Sequence, residues 1–209
     1  MIKAVIFDID GVLIDSLEAN YQYYLHVFKV LGKQFVTRQE YNSNYEGLTM
    51  KAMLNKVMGF TGSELETNFE LIKKTTPHFS ELYKTPPGEK EAIEILSKKF
   101  KLAIVTSKYS VESTFKVIGQ ERKFSVVVMF GDYQKPKPDP ESLLMALKKL
   151  QVKANETVYI GDRESDLLAA KAAGTYFITF YGVSGKIFKD ADANVKTFTE
   201  LPGAIEKLS

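Results

Sequence analysis

The sequence predicts an α/β protein, a parallel β-sheet covered by helices on both faces, with an all-helical insert after the first strand. Strand-like and helix-like segments alternate from about residue 89 onwards, an order typical of parallel sheets with right-handed crossovers. Before that point, residues 17–84 show only helical periodicity. We therefore expect two domains, a sheet core formed by residues 1–16 and 85–209 and a helical insert formed by residues 17–84.

The first strand is predicted from a short apolar run, Val5-Ile6-Phe7, which ends in two aspartates one residue apart and a glycine. Short apolar runs between polar residues are typical of buried strands, and Gly11 tolerates the turn that leaves the strand. Asp8 and Asp10 would then lie at the carboxyl end of a strand, where open parallel sheets bind ligands. A turn rich in Asp and Gly would explain Asp10 and Gly11, but it leaves Asp8 unexplained.

In the insert, apolar residues recur at spacings of three and four, which predicts four or five short helices. Their aromatic and methionine stripes are interpreted as core positions rather than cofactor contacts. The two histidines have no paired ligand spacing, so they are interpreted as surface or core side chains. These histidines are His26 and His78. Two helix starts in the insert show the pattern of a capping box, Thr37 with Glu40 and Ser63 with Glu66.

After Pro86-Pro87-Gly88, which marks the return to the sheet core, the elements form four helix–strand pairs. A short edge strand and a closing helix follow from residue 191. The predicted helices are 89–99, 110–119, 140–150 and 164–173, and the strands that follow them are 101–106, 125–130, 157–161 and 175–180.

Composition excludes several classes of protein. The 209 residues are 44% hydrophobic and 26% charged, as in a soluble globular protein. The formal charge of +2 gives no electrostatic footprint for nucleic acid. No cysteine is present, so there is no disulfide or thiolate metal site, and no stretch approaches the roughly 20 apolar residues of a membrane span. We expect a cytoplasmic monomer or homodimer that binds neither nucleic acid nor membrane.

Four segments, each at the end of a predicted strand or just before a helix, complete a pattern that resembles the haloacid dehalogenase superfamily of phosphatases and phosphotransferases. They occur in the order typical of the family. The segments are Asp8-Ile-Asp10-Gly11, Thr106-Ser107, Lys137-Pro138-Asp139-Pro140 and Gly161-Asp162-Arg163-Glu164-Ser165-Asp166. The resemblance implies a Rossmann-like core, and it implies that the helical insert is a cap domain of the kind found in phosphoglycolate phosphatases and β-phosphoglucomutases.

The resemblance also implies a mechanism. Asp8 would be the nucleophile that forms an aspartyl-phosphate, and Asp10 would be the general acid and later the general base. Thr106 and Ser107 would bind phosphate oxygens. A lysine would neutralise the nucleophile and the phosphoryl group. Two overlapping Lys-Pro pairs offer candidates for that lysine. The interval that separates this lysine from the aspartate of the fourth segment in the family, counted back from Asp162, implies Lys137 rather than Lys135.

Mg²⁺ is the cofactor that the resemblance implies, because it prefers oxygen ligands and keeps several waters. The expected ligands are Asp8, the backbone carbonyl of Asp10, Asp162 and Asp166. For Asp166 four interpretations stay open: direct ligation, ligation through a water, orientation of Asp162 from the first turn of the next helix, and an acidic residue favoured at a helix N-terminus. Arg163 and Glu164, which lie between the last two aspartates, are interpreted as exposed residues at a helix start.

The expected function is therefore Mg²⁺-dependent hydrolysis of a small phosphorylated metabolite such as phosphoglycolate. A β-phosphoglucomutase-type mutase and a pyrophosphatase are the alternatives. Asn20 stands where those mutases carry a catalytic histidine, and the segment after Gly47 lacks their arginine, which disfavours the mutase. The acid at position 10 disfavours a dehalogenase. A protein-binding module with a relic site is disfavoured because each catalytic position is filled.

Overall fold

In a computed structural model, the chain is described at residues 1–45, 48–77 and 79–208. It separates into two compact units. The first, called the sheet unit, contains Met1–Ser16 and Tyr83–Ser209; the second, called the helical unit, contains Leu17–Leu82. The predicted insert extends slightly further along the chain, to residue 84. His78 and Gly47, on which two interpretations depended, lie outside the described residues.

The sheet unit is built on six parallel strands in the order β3-β2-β1-β4-β5-β6. The order reverses between β1 and β4, and open α/β sheets bind ligands at the carboxyl edge of such a reversal. The prediction of a parallel α/β fold is confirmed. The strands are β1 (Ala4–Phe7), β2 (Lys101–Val105), β3 (Phe124–Val128), β4 (Thr157–Gly161), β5 (Tyr176–Phe180) and β6 (Ala193–Val195).

Helices cover both faces of this sheet, because successive side chains of a strand point to opposite faces. In β1, Val5 and Phe7 enter one apolar core and Ala4 and Ile6 enter the other. Each fully buried aliphatic side chain contributes about 1.5–3 kcal/mol, so the two cores hold the central strands rigidly. The helices of the sheet unit are α5 (Glu89–Ser97), α6 (Glu112–Ile118), α7 (Glu141–Leu150), α8 (Glu164–Ala173) and α9 (Leu201–Glu206).

The helical unit packs around its own apolar cluster, centred on buried residues such as Tyr41, Met53 and Ile72. Its aromatic and methionine stripes are thus core positions, as predicted. The capping box at Thr37 and Glu40 is present, but the one predicted at Ser63 is wrong, because its helix already begins at Gly62. The helices are α1 (Leu17–Val30), α2 (Arg38–Asn44), α3 (Met50–Lys56) and α4 (Gly62–Thr75), with a 3₁₀ turn at Ser80–Leu82. Among the described residues, no helix is long and apolar enough to cross a membrane.

One acidic residue is buried in the sheet unit away from the strand ends. Glu89, the first residue of α5, is only 2% exposed. Gln120 Nε2 donates to its Oε2 at 3.4 Å, while Oε1 has no hydrogen-bond partner in the described part of the chain. Burial, and to a lesser degree the neighbouring Glu91 carboxylate, raises the pKa of Glu89 to about 7. The ionised form is therefore disfavoured in the folded protein.

We predict that Glu89→Gln stabilises the protein at pH 8 by about 1–3 kcal/mol and has little effect near pH 5. The pKa of Glu89 is higher in the folded than in the unfolded state, so the free energy of unfolding falls as pH rises from about 4.5 to about 7 and stays low above it. Urea denaturation between pH 5 and 8.5 measures this difference. Glu91→Gln, at an exposed position in the same turn, is the control; an equal gain in that variant contradicts the prediction.

Candidate active site

The carboxyl ends of β1 and β4 bring together the aspartates predicted from separate segments. Phe7 pairs with Ile160, and the Asp8 N–H donates to the Ile160 carbonyl at 2.9 Å, so Asp8 leaves its strand level with the end of β4. Asp162 follows β4 directly. Asp166 lies in the first turn of α8, where its Oδ2 accepts the Arg163 N–H at 3.2 Å. All three aspartates are buried, and one carboxylate oxygen of each lies within 4.8 Å of the others.

Two glycines allow this close approach. Gly11 has a φ of +80°, and a Cβ at this position would lie 2.1 Å from Asp162 Oδ2. At Gly161 a Cβ would lie 2.5 Å from the Cβ of Asp166. Any larger residue would displace one of the two carboxylates, so glycine is required at both positions for space, and at Gly11 also for its left-handed backbone conformation.

Lys137 lies against the acidic cluster. Its ammonium is 3.1 Å from Asp8 Oδ2 and 2.5 Å from Asp166 Oδ1, and its side chain is only 6% exposed. The loop that carries it is fixed by Glu141 of α7, whose carboxylate accepts the N–H groups of Gln134 and Lys135. The Lys135 side chain is 73% exposed, and its ion pair with Asp139 is long, at 3.9 Å. Of the two candidate lysines, Lys137 is therefore the one beside Asp8.

The remaining predicted residues lie around this centre. Asp10 is 3.1 Å from the Lys108 ammonium, an ion pair rather than an aligned hydrogen bond. Thr106 is buried at the end of β2, the strand beside β1, where its hydroxyl accepts the Lys108 N–H at 3.3 Å. Ser107 is exposed on the loop that follows.

The electrostatics of the cluster follow from its burial. Desolvation, with repulsion from Asp166 and Asp8, raises the pKa of Asp162 to about 8, although Arg163 opposes this. Desolvation also raises the pKa of Asp8, although Lys137 opposes this. Burial alone would raise the pKa of Asp10, but the Lys108 ammonium and a hydrogen bond from Ser16 lower it. The basic groups near Asp8 and Asp162 therefore do not fully offset the cost of burying these two carboxylates.

The donor set fits a divalent cation that prefers oxygen. Asp162 Oδ1 is buried without a hydrogen-bond partner among the described residues, and the three clustered carboxylates offer hard anionic ligands. Asp166 differs from the other two, because Lys137 occupies its Oδ1 and the Arg163 N–H occupies its Oδ2. Asp8 and Asp162 therefore have the greater free capacity for direct ligation.

Three residues at this centre, Lys108, Tyr159 and Arg163, were not predicted to be part of it. Lys108 follows Thr106-Ser107 directly, so a third polar residue after the strand was an available signal. Tyr159 is a polar aromatic residue within a central apolar strand, and its hydroxyl contacts Lys137 and Asp166. Arg163 is partly buried beside Asp162, with Nε 3.8 Å from Oδ1, so its interpretation as an exposed residue is wrong; Glu164 is exposed.

The structure therefore places buried carboxylates and a lysine together at the carboxyl ends of β1 and β4 in a parallel sheet, and comparison with known proteins identifies the family that has this arrangement. The family described as haloacid dehalogenase-like hydrolase matches residues 5–180. The chain belongs to this family and is an enzyme of it. The prediction of a phosphatase of the haloacid dehalogenase superfamily is confirmed at the level of this class.

Individual relatives cover most of the chain. It is 35% identical to the phosphorylated carbohydrates phosphatase of Thermotoga maritima, over 91% of this chain and 92% of that protein. It is 29% identical to the pyrophosphatase PpaX of Anoxybacillus flavithermus, over 83% and 81%. Among solved structures, a haloacid dehalogenase-superfamily hydrolase of subfamily IA from Geobacter sulfurreducens aligns with a TM-score of 0.75 at 25% identity, over 100% of this chain and 97% of that one.

We predict that Gly11→Ala lowers the free energy of unfolding by about 1–3 kcal/mol more than Gly119→Ala does. Both residues have a positive φ, so both variants bear the left-handed backbone cost of about 1 kcal/mol. A Cβ at Gly119 meets nothing within 4 Å, whereas at Gly11 it overlaps the Asp162 carboxylate. Chemical denaturation of the two variants measures the difference, and equal losses would show that Asp162 moves aside without cost.

Proposed function

We propose that this protein is a Mg²⁺-dependent phosphatase that hydrolyses a small phosphorylated carbohydrate through an aspartyl-phosphate on Asp8. The observation that carries the proposal is the contact between Lys137 and Asp8, 3.1 Å apart, beside two further buried carboxylates. A carboxylate flanked by a buried ammonium and by acidic residues with cation-binding capacity suits nucleophilic attack on a phosphoryl group, whose negative charge must be balanced.

Asp8 is the proposed nucleophile. One of its oxygens attacks the phosphorus atom, the bond to the leaving oxygen breaks, and the phosphoryl group is carried on the aspartate until water releases it. Lys137 stays charged, because Asp166 and Asp8 raise its pKa despite its burial. Its ammonium therefore balances charge on Asp8 and on the phosphoryl oxygens throughout the reaction.

Asp10 is the proposed general acid and base. It is two residues beyond Asp8 and lies beside the Lys108 ammonium, which Tyr83 also contacts, since Lys108 Nζ donates to the Tyr83 hydroxyl at 3.1 Å. We propose that Asp10 protonates the leaving oxygen and then accepts a proton from the attacking water. Lys108 favours the anionic form of Asp10, which the second of these steps requires.

Thr106 and Ser107 are proposed to bind the phosphoryl oxygens through the Thr106 hydroxyl and the Ser107 N–H. Asp8, the backbone carbonyl of Asp10 and Asp162 would hold Mg²⁺, with Asp166 as a direct or water-mediated ligand. When bound, Mg²⁺ supplies positive charge that lets two anions approach each other. The orphan oxygen of Asp162 supports this assignment.

The substrate class rests on the relatives. The 35% identity to a phosphorylated carbohydrates phosphatase favours a sugar phosphate or a similarly small compound such as phosphoglycolate. The similarity to pyrophosphatase PpaX makes pyrophosphate the second candidate. Asn20 disfavours a mutase, because an amide cannot exchange a proton as histidine does.

We predict Mg²⁺-dependent release of phosphate, fastest with sugar phosphates in a panel that also contains phosphoglycolate and pyrophosphate. Asp8→Asn should lower kcat by about 10³-fold or more, because an amide is not a nucleophile toward phosphorus. Steady-state phosphate release with and without EDTA measures both effects. Asp190→Asn, at an exposed position paired with Lys171, is the matched control. Full activity in EDTA or in Asp8→Asn refutes the mechanism, whereas a preference for pyrophosphate refutes only the substrate class.

We predict that Lys137→Ala costs about 2–4 kcal/mol of transition-state stabilisation, as for other single electrostatic groups. Lys135→Ala should cost less than about 0.5 kcal/mol, because its side chain is exposed and its ion pair is long. The ratio of kcat/KM between each variant and the parent protein gives these energies. Equal costs in the two variants would contradict the role proposed for Lys137.

A further inference from the structure

Tyr159 is a fully buried tyrosine in the centre of β4, one strand away from Asp8. Its ring packs in the apolar core on one face of the sheet, 6.0 Å from the ring of Phe177. Its hydroxyl leaves that core and contacts two charged groups. Lys137 Nζ lies 2.9 Å from it, and Asp166 Oδ1 lies 2.8 Å from it.

The direction of both hydrogen bonds is set by chemistry. An ammonium can only donate, so the Tyr159 oxygen accepts from Lys137. The hydroxyl proton is then directed to Asp166, which as a carboxylate can only accept. A neutral tyrosine thus satisfies both contacts at once, as acceptor from the ammonium and donor to the carboxylate.

Three oxygens consequently surround the Lys137 ammonium, from Asp8, Asp166 and Tyr159. The contact with Asp166 is the shortest, at 2.5 Å, against 3.1 Å for Asp8. Asp166 Oδ1 thus competes with Asp8 for the ammonium. The Tyr159 hydroxyl opposes this competition because it donates to the same Asp166 oxygen and so reduces the capacity of that oxygen to attract the ammonium.

We propose that Tyr159 is a positioning residue that keeps the Lys137 ammonium available to Asp8 and to the phosphoryl group. The proposal rests on the proposed function, in which Lys137 balances charge during phosphoryl transfer. A tyrosine suits this task because its ring has only two side-chain torsions and is fully buried in the apolar core, so its hydroxyl occupies a fixed position. Without the hydroxyl, Asp166 would draw the ammonium away from Asp8.

Tyr159→Phe tests the proposal, because it removes the hydroxyl and retains the ring. We expect kcat to fall about 10- to 100-fold, the effect of one hydrogen bond to a charged group, with KM changed by less than about twofold. Tyr176→Phe, at the first residue of the neighbouring strand β5 and packed against the core on the opposite face of the sheet, is the matched control and should keep parental kcat. Thermal denaturation of both variants shows whether either is unfolded at the assay temperature. A parental kcat in Tyr159→Phe overturns the proposal.

The combination of Tyr159→Phe with Lys137→Met separates positioning from a general structural role. If Tyr159 acts through Lys137, the double variant has the same kcat as Lys137→Met alone. A reduced fraction of correctly folded enzyme would instead lower kcat by the same factor in both backgrounds, and that outcome overturns the proposal. If Lys137→Met itself retains parental kcat, the role of Lys137 in the proposed function is wrong, and the inference is wrong with it. That result differs from the one that overturns the inference alone, in which Lys137→Met loses activity but Tyr159→Phe does not.

Discussion

The crowding of negative charge at the end of two neighbouring strands is the constraint on which the rest of the site depends. Asp8, Asp162 and Asp166 are each nearly inaccessible to water, yet one oxygen of each lies within 4.8 Å of the others. Buried carboxylates are costly unless they are paired. Lys137 contacts two of the three, and Asp162 keeps an oxygen without a hydrogen bond among the described residues. The pKa of Asp162 is raised because burial and the neighbouring carboxylates outweigh the stabilisation by nearby basic groups.

The sheet tolerates this crowding because its stability comes from apolar packing on its two faces, away from the strand ends. The two apolar cores on its faces fix the central strands, and their carboxyl ends bring Asp8 and Asp162 together irrespective of mutual repulsion. Glycine then removes the steric obstacle at two positions, Gly11 and Gly161. The site is thus held in an electrostatically unfavourable arrangement by packing energy, which is the usual relation between an active site and its scaffold.

The elements that could be predicted from sequence are those fixed by backbone geometry. The strand β4 was predicted with its observed bounds from its apolar run. Lys137 was selected over Lys135 through the resemblance to the haloacid dehalogenase superfamily, and it lies beside Asp8. Tyr159 and Lys108 stand out in the sequence as polar residues in or just after an apolar strand, but their partners could not be predicted, because these depend on where a long side chain ends rather than where its backbone lies. The capping box at Ser63 failed for a local reason: a Ser-x-x-Glu pattern does not specify the cap when the helix can begin one residue earlier.

Charge balance explains why a divalent cation suits this site better than another protein cation. The four carboxylates of Asp8, Asp10, Asp162 and Asp166 outnumber by one the basic groups that contact them in the described part of the chain, which are Lys108, Lys137 and Arg163. A further lysine would bring the net charge only to zero, and a phosphoryl dianion would still enter without net attraction. A bound dication would instead make the site net positive before the substrate arrives. With the dianion also bound, the site would again be net negative, which would favour release of inorganic phosphate after hydrolysis.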